Sequence, residues 1–238
     1  MLILFAETSA ASAATFIPIY FIPLFFQFVH SDSALEAGVR LLPFVVFLVV
    51  ACVANGAIMS ATGYYFPWYI VAGVFNIVGA SLMYTVTEHS STASIYGYTV
   101  LIGIGCGAFI QSSFAVAQAK VDPKYIPSVI GFITAGQILG ATISLAIANS
   151  VFLNHSTTSI AKILPNVPTS DIQAAISGAG SAFIKGLDAA TREQVLHAIV
   201  ESMSKVYILT ITAGSLALVL AFLMKPGDKL FMKPGAGA

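Results

Sequence analysis

The stretch from residue 95 to residue 152 constrains this chain more than any other. It holds two long apolar segments, IYGYTVLIGIGCGAFIQSSFAVAQA and SVIGFITAGQILGATISLAIANSVF, joined by the short basic connection KVDPKYIP. Each segment exceeds the roughly 20 residues a helix needs to cross a ~30 Å hydrocarbon layer, so the pair reads as a transmembrane helical hairpin. Gly103 and Gly107 form a G-x-x-x-G, and Gly136, Gly140, Ser144 and Ala148 recur every four residues along one side of the second helix. Such stripes let helix backbones touch. The same segments carry Gln111, Gln118, Gln137 and Asn149 at membrane depth. Each of these amides needs a partner there or must line a polar cavity.

Composition narrows the class. Of the 238 residues, 58% are hydrophobic and 8% charged, with a mean hydropathy of +0.91. A soluble domain carries about a quarter charged residues, so this is a polytopic, all-α membrane protein whose main environment is the lipid bilayer. Nucleic acid is not an expected partner, because the charges avoid the apolar segments and collect in the connections. Cys52 and Cys106 both fall inside expected spans, with no C-x-x-C or Cys/His companion. They read as small packing residues, and neither a disulfide framework nor a metal site is expected. No cofactor is expected either. The four histidines, His30, His89, His155 and His197, lie in connections or at interfaces, so no catalytic constellation is visible and the chain does not read as an enzyme. Residues 1 to 6 lack a basic n-region, so no cleavable signal peptide is expected.

The hydropathy pattern predicts six spans, at about 4–29, 38–60, 67–87, 95–118, 127–153 and 204–224, packed as a single bundle over 1–238. Pro18 and Pro23 would bend the first. Arg40 opens the second and reads as a snorkelling side chain. The segment SATGYYFPW, with Gly63, has the mix of a turn at the lipid boundary. One long connection, residues 154–203, is expected to be partly helical. Ser170 and Gln173 have capping-box spacing for a helix ending near Gly178, and Asp188 can cap another. In that second helix Val195, Ile199, Met203 and Val206 recur at helical spacing, a run expected to lie along the outer face before the last span. Lys120, Lys124, Lys225, Lys229 and Lys233 gather at one end, whereas the short turns at the other carry Asp32, Glu36 and Glu88. By the excess of Lys in cytoplasmic loops, both termini are cytoplasmic and residues 154–203 extracytoplasmic. Asn154-His155-Ser156 within that connection is a glycosylation sequon, close to the membrane.

Several stretches, taken in order, resemble the carboxy-terminal half of fungal major facilitator superfamily (MFS) exporters of the fourteen-helix drug:proton antiporter branch. They are YFIPLFFQFVHSDSALEAGVRLLPF, ATGYYFPWYIVAGVFNIVGASLMYT, YGYTVLIGIGCGAFIQSSFAVAQA, GQILGATISLAIANSVF and ISGAGSAFIKGL. The resemblance covers nearly the whole chain and implies a six-helix bundle that packs against an amino-terminal half as its partner. Substrate, a drug, toxin or other small organic molecule, would be held near the midplane between the halves and exported by alternating access. It also implies protons as a second partner and the plasma membrane as the location, with the vacuolar membrane as the alternative. The loop after Gly63 has Tyr64, Tyr65 and Phe66 where the family carries charged residues, a departure that bears on proton coupling.

In such bundles the first, second, fourth and fifth helices face the cavity. The implied substrate-binding residues are then the polar Gln27, Asn55, Gln111 and Gln137, with Tyr20, Phe25, Phe26 and Phe114 as aromatic surface. The alternative for these amides is hydrogen bonding between helices, and for the aromatics contact with lipid. The alternative to an exporter half is a self-sufficient six-helix protein that homodimerises, a non-transporting assembly factor or a degenerate fragment.

Overall fold

The first helix sets the frame because nothing in its 28 residues stops it. In the computed structural model α1 runs from Leu2 to Val29 and contains both Pro18 and Pro23. Three of its hydroxyls are satisfied along the helix: those of Ser9, Ser12 and Thr15 donate to the carbonyls of Phe5, Thr8 and Ala11 at 2.9, 2.9 and 2.7 Å. Back-bonding of this kind allows Ser and Thr to sit in an apolar helix without an orphaned donor. The structure describes residues 1–177, 186–224 and 229–230. Most of the stretch ISGAGSAFIKGL, and the lysines Lys225 and Lys233, lie outside the described residues.

The turn after α1 is built by side chains. Ser33 and Glu36 form a reciprocal capping box that starts the short helix α2, Ala34–Val39. Arg40 pairs with Asp32 and stacks its guanidinium 4.8 Å from the centroid of Phe26, so it is tied to α1 instead of reaching freely for headgroups. The second span continues as α3, Leu42–Thr62, and ends where Gly63 takes a left-handed φ of 76° and its N–H bonds the Met59 carbonyl. A residue with a Cβ is strained in that conformation.

The remaining elements are α4 (Phe66–Tyr84), α5 (Thr92–Phe109), α6 (Ser112–Ala119), a 3-10 turn at Pro123–Tyr125, α7 (Ile126–Ile163), α8 (Thr169–Ser177) and α9 (Ala189–Phe222). Counting α2 with α3 and α5 with α6, six helical segments among the described residues are long and apolar enough to cross a membrane. The protein is an integral membrane helical bundle.

Small residues decide who touches whom. A Cβ built on Gly103 would lie 2.6 Å from the Phe44 carbonyl oxygen, and one on Gly107 would lie 2.2 Å from that of Leu48, so α5 rides directly on the α3 backbone. Gly140 does the same for α7 against the Ser9 backbone of α1, and Gly136 makes room for the Phe5 ring. Gly73 and Gly214 bring α4 onto α9. Across the bundle α3 packs on α5, α5 on α4, and α4 on α9, while α1 fills the space between α9 and α7. The consequence is an uneven burial. The most apolar windows of α1 and α5–α6 are 56% and 61% buried, against 17% for both Ala34–Thr62 and Pro123–Ile163.

Two helices outrun a bilayer. At 1.5 Å per residue the 38 residues of α7 extend about 57 Å. Its inner face stays packed past the apolar stretch, with Phe152, Ser156 and Ile160 all buried. Much of the long connection is therefore helix. Asp188 caps α9 as the sequence suggests, accepting from the Thr191 N–H at 3.1 Å. Other local expectations change. Ser170 lies inside α8 and bonds the Asp171 side chain, so the Ser170–Gln173 capping box is not formed. The run from Val195 to Val206 is the first half of α9 itself, continuous with the last span, and does not turn along the surface. The sequon also sits in α7, with Ser156 fully buried, which is not the surface loop a glycosylation acceptor occupies.

The ends of the bundle can be matched. Lys229 lies over the Tyr64 ring at 4.6 Å, and the Leu230 N–H bonds the Gly63 carbonyl at 2.8 Å. Lys120 lies 5.7 Å from the centroid of Tyr65. The α3–α4 turn, the end of α6 and residues 229–230 thus share one end, where aromatic rings hold the lysine side chains.

Candidate substrate-facing wall

The eight residues singled out from the sequence separate into two groups. Phe25, Phe26 and Asn55 are spent inside the bundle. Phe25 and Phe26 meet edge to face at 5.5 Å, and Phe26 is fully buried between Arg40, His30 and Tyr96. Asn55 is 1% exposed, and its amide donates to the Ala108 carbonyl at 2.8 Å while its carbonyl accepts from the Ser112 hydroxyl at 3.2 Å. That is the interhelical hydrogen bonding that the alternative reading describes for this amide.

The others keep an open side. Tyr20 on α1 is 47% exposed and, with Leu145, Ala146 and Asn149 of α7, lines a cavity of about 280 Å³. Gln27 and Phe114 are half-buried, as is Gln137 on α7, whereas Gln111 is exposed. Gln111 occupies a special place. Regular α-helix lapses at Ile110 and Gln111, between α5 and α6, inside a segment otherwise long enough to be one span. Behind that break Ser113 pairs with the Tyr69 hydroxyl at 3.2 Å, and Ser112 with Asn55. Interrupted helices at membrane depth are tolerated where the backbone is covered by protein or lines a cavity.

Three further features stand apart from those eight residues. Asn76 on α4 is fully buried, donates to the Ala72 carbonyl at 2.8 Å and accepts from the Cys106 thiol at 3.3 Å, against Gly105. An asparagine in an otherwise apolar, glycine-bearing span was the available signal. Glu7 is also fully buried, and neither carboxylate oxygen has a hydrogen-bond partner among the described residues. The third is an ionic cluster around the α4–α5 turn. His197 of α9 meets the Glu88 carboxylate at 2.9 and 3.1 Å, and Ser204 donates to the Val86 carbonyl at 2.9 Å. Burial works to raise the Glu88 carboxyl, but hydrogen bonds from its own backbone and from His197, with the charges of His197 and His89, hold it below the ordinary carboxylate value. No group of His, Cys, Asp and Glu among the described residues has the arrangement of a metal site.

Among the described residues the bundle offers broad apolar faces. Exposed apolar side chains cover α3, with Val45, Val46, Phe47, Val49, Val50 and Val53, while α7 alternates Ile138, Leu139, Ile143 and Ile147 with Gln137 and Asn149.

Comparison with known proteins agrees with this build. No family model matches the chain. The MFS-type transporter pgmG of Aspergillus terreus is 50% identical over 236 residues, covering 99% of this chain and 42% of the relative. The efflux pump alnA of Emericella nidulans is 45% identical over 222 residues, 93% of this chain and 40% of the relative. The phomenoic acid biosynthesis cluster MFS-type transporter of Leptosphaeria maculans is 36% identical, covering all of this chain and 40% of the relative. The chain thus spans about two fifths of the length of the curated relatives it matches. Along nearly its whole length, this six-span helical bundle is a homologue of part of the fungal MFS-type transporters and efflux pumps.

Proposed function

We propose that these residues supply one wall of a membrane exporter of small organic molecules, the wall that closes against a second helical bundle during alternating access. The observation that carries this reading is homology to proteins named transporters and efflux pumps over nearly all of the chain. The two least buried spans, Ala34–Thr62 and Pro123–Ile163, flank the bundle and suit contact with another helical layer. Substrate would meet Tyr20, Gln27, Gln111, Phe114 and Gln137. Phe25, Phe26 and Asn55 would buttress that surface from behind, because their groups are already engaged within the bundle. Protons are the proposed coupling ion and the plasma membrane the proposed location, with both chain termini cytoplasmic and residues 154–203 on the other side.

Six helices make one side of a central site, so these 238 residues alone should not perform coupled transport. Reconstituting the purified chain in liposomes with an imposed pH gradient, and following a fluorescent cationic drug, tests this. Saturable uptake that depends on the gradient and is abolished by an uncoupler would overturn the reading.

A further inference from the structure

Where α7 and α9 run on together past the apolar stretch of α7, a chain of polar groups links them. Nδ1 of His155 on α7 lies 2.9 Å from the Ser202 hydroxyl on α9. Ser202 gives its own proton to the Ala198 carbonyl at 2.6 Å, so the ring nitrogen is the donor and the imidazole is the Nδ1–H tautomer. Nε2 is left with a free lone pair, and the Lys205 ammonium donates to it. Lys205 also donates to the Glu201 carboxylate at 2.8 Å. The arrangement holds together only while the imidazole is neutral. His155 at the same time lines a shallow cavity of about 690 Å³, walled by α7 alone and open to the surroundings, with Ser150, Asn154, Thr158 and Lys162.

We propose that His155 and Lys205 form a proton-binding site that opens to this cavity and sets the strength of the α7–α9 contact according to its pH. The incoming proton adds to Nε2 of His155, the one ring position with a lone pair. Nε2 then ceases to accept from Lys205, and an imidazolium faces an ammonium. Lys205 falls back on Glu201, the new Nε2–H turns to cavity water, and one bond between the helices is lost. Release of the proton restores it.

Glu201 of α9 lies near enough to feel a charge on the ring, but its carboxylate is shared with Lys205. Lys162 lines the same cavity from α7. The neighbouring cleft brings Glu88 and Tyr84, with His197, to Glu201 and Lys205. His197 responds with the opposite sign, because it faces the Glu88 carboxylate and its protonation strengthens that contact. The two histidines are therefore separable by experiment. The proposal goes beyond transport, since it is measured without substrate.

Hydrogen exchange of the purified chain in nanodiscs tests it, comparing about pH 7.5 with about pH 5.5 after correction for intrinsic exchange. Acidification should speed exchange in residues 150–163 and 195–205 by about fivefold or more in the wild type. His155→Gln can still bridge Ser202 and Lys205 but cannot titrate, and should lose the acid response, whereas His197→Gln should keep it. Equal acid responses in wild type and His155→Gln, or none in the wild type, would overturn the proposal. Should His155→Gln fail to fold, Lys205→Met decides: it should exchange fast at both pH values, and a full acid response without the ammonium would overturn the proposal.

Discussion

Gly107 and Leu48 meet backbone to backbone: a Cβ on Gly107 would stand 2.2 Å from the Leu48 carbonyl oxygen, 2.8 Å from the Ala51 Cβ and 2.9 Å from the Cys52 amide nitrogen. No side chain lies in between that could move aside. Gly107→Ala should push α5 off α3 and cost about 1–3 kcal/mol, the range for overpacking a close contact. Gly97→Ala, which meets nothing within 4 Å, should leave stability unchanged or slightly raised. Thermal unfolding of the detergent-purified variants checks both. Equal melting temperatures for the two would mean that the α3–α5 contact is not the tight one described.

The Glu88–His197 contact gives an acid-dependent part of stability. The folded-state value of Glu88 is depressed, so its contribution is present in full above the unfolded carboxylate value of about 4.3 and is lost as pH falls through the lower, folded value. Melting curves from neutral pH down to about pH 3 should therefore fall more steeply in the wild type than in Glu88→Gln. Parallel curves would show that Glu88 is equally free in the folded and unfolded chain.

Gln111 and Gln137 differ from Asn55 in what their amides have left to do. Asn55 is saturated within the bundle by Ala108 and Ser112, so Asn55→Leu should lower expression and stability by about 1–3 kcal/mol. In a complete carrier, Gln111→Leu and Gln137→Leu should instead change substrate range or transport rate more than expression. Quantified membrane levels together with export across a drug panel separate the cases. Normal export by both glutamine variants would return these residues to packing.

Much of this was legible in the sequence, for identifiable reasons. Apolar runs of span length revealed the six segments, and glycines spaced by four revealed which backbones approach. Asp188 announced the α9 cap. The last ten residues of α7 were not legible, because hydropathy reports lipid contact and residues 154–163 are polar on one side yet packed through Ser156 and Ile160 on the other. Nor could the sequence say that Phe26 faces inward: α1 is apolar on every side, so no periodicity marks its buried face, and the contact with Arg40 depends on a turn that only the fold brings round. Ser170 and Gln173 had the right spacing for a box, but α8 begins one residue earlier.

Sidedness can be read chemically. In a chain with Cys52 and Cys106 replaced by alanine, Ser177→Cys should react with an impermeant thiol reagent in intact cells, and Thr62→Cys should react only after the membrane is opened. Ser177 closes α8 and Thr62 closes α3 at the opposite, lysine-bearing end. The reverse pattern would invert the proposed orientation.

The most direct test of the central claim exchanges the homologous segment of the Aspergillus terreus relative for this chain. Cells would express the chimera, the intact relative or the chain alone, be loaded with a panel of fluorescent organic dyes, and be scored on those dyes for which the intact relative gives measurable efflux. The account predicts export by the chimera at a rate within about tenfold of the relative, a barrier difference under about 1.4 kcal/mol, and none above background by the chain alone. A chimera that reaches the membrane in normal amount yet exports no dye, or export by the chain alone, would contradict it.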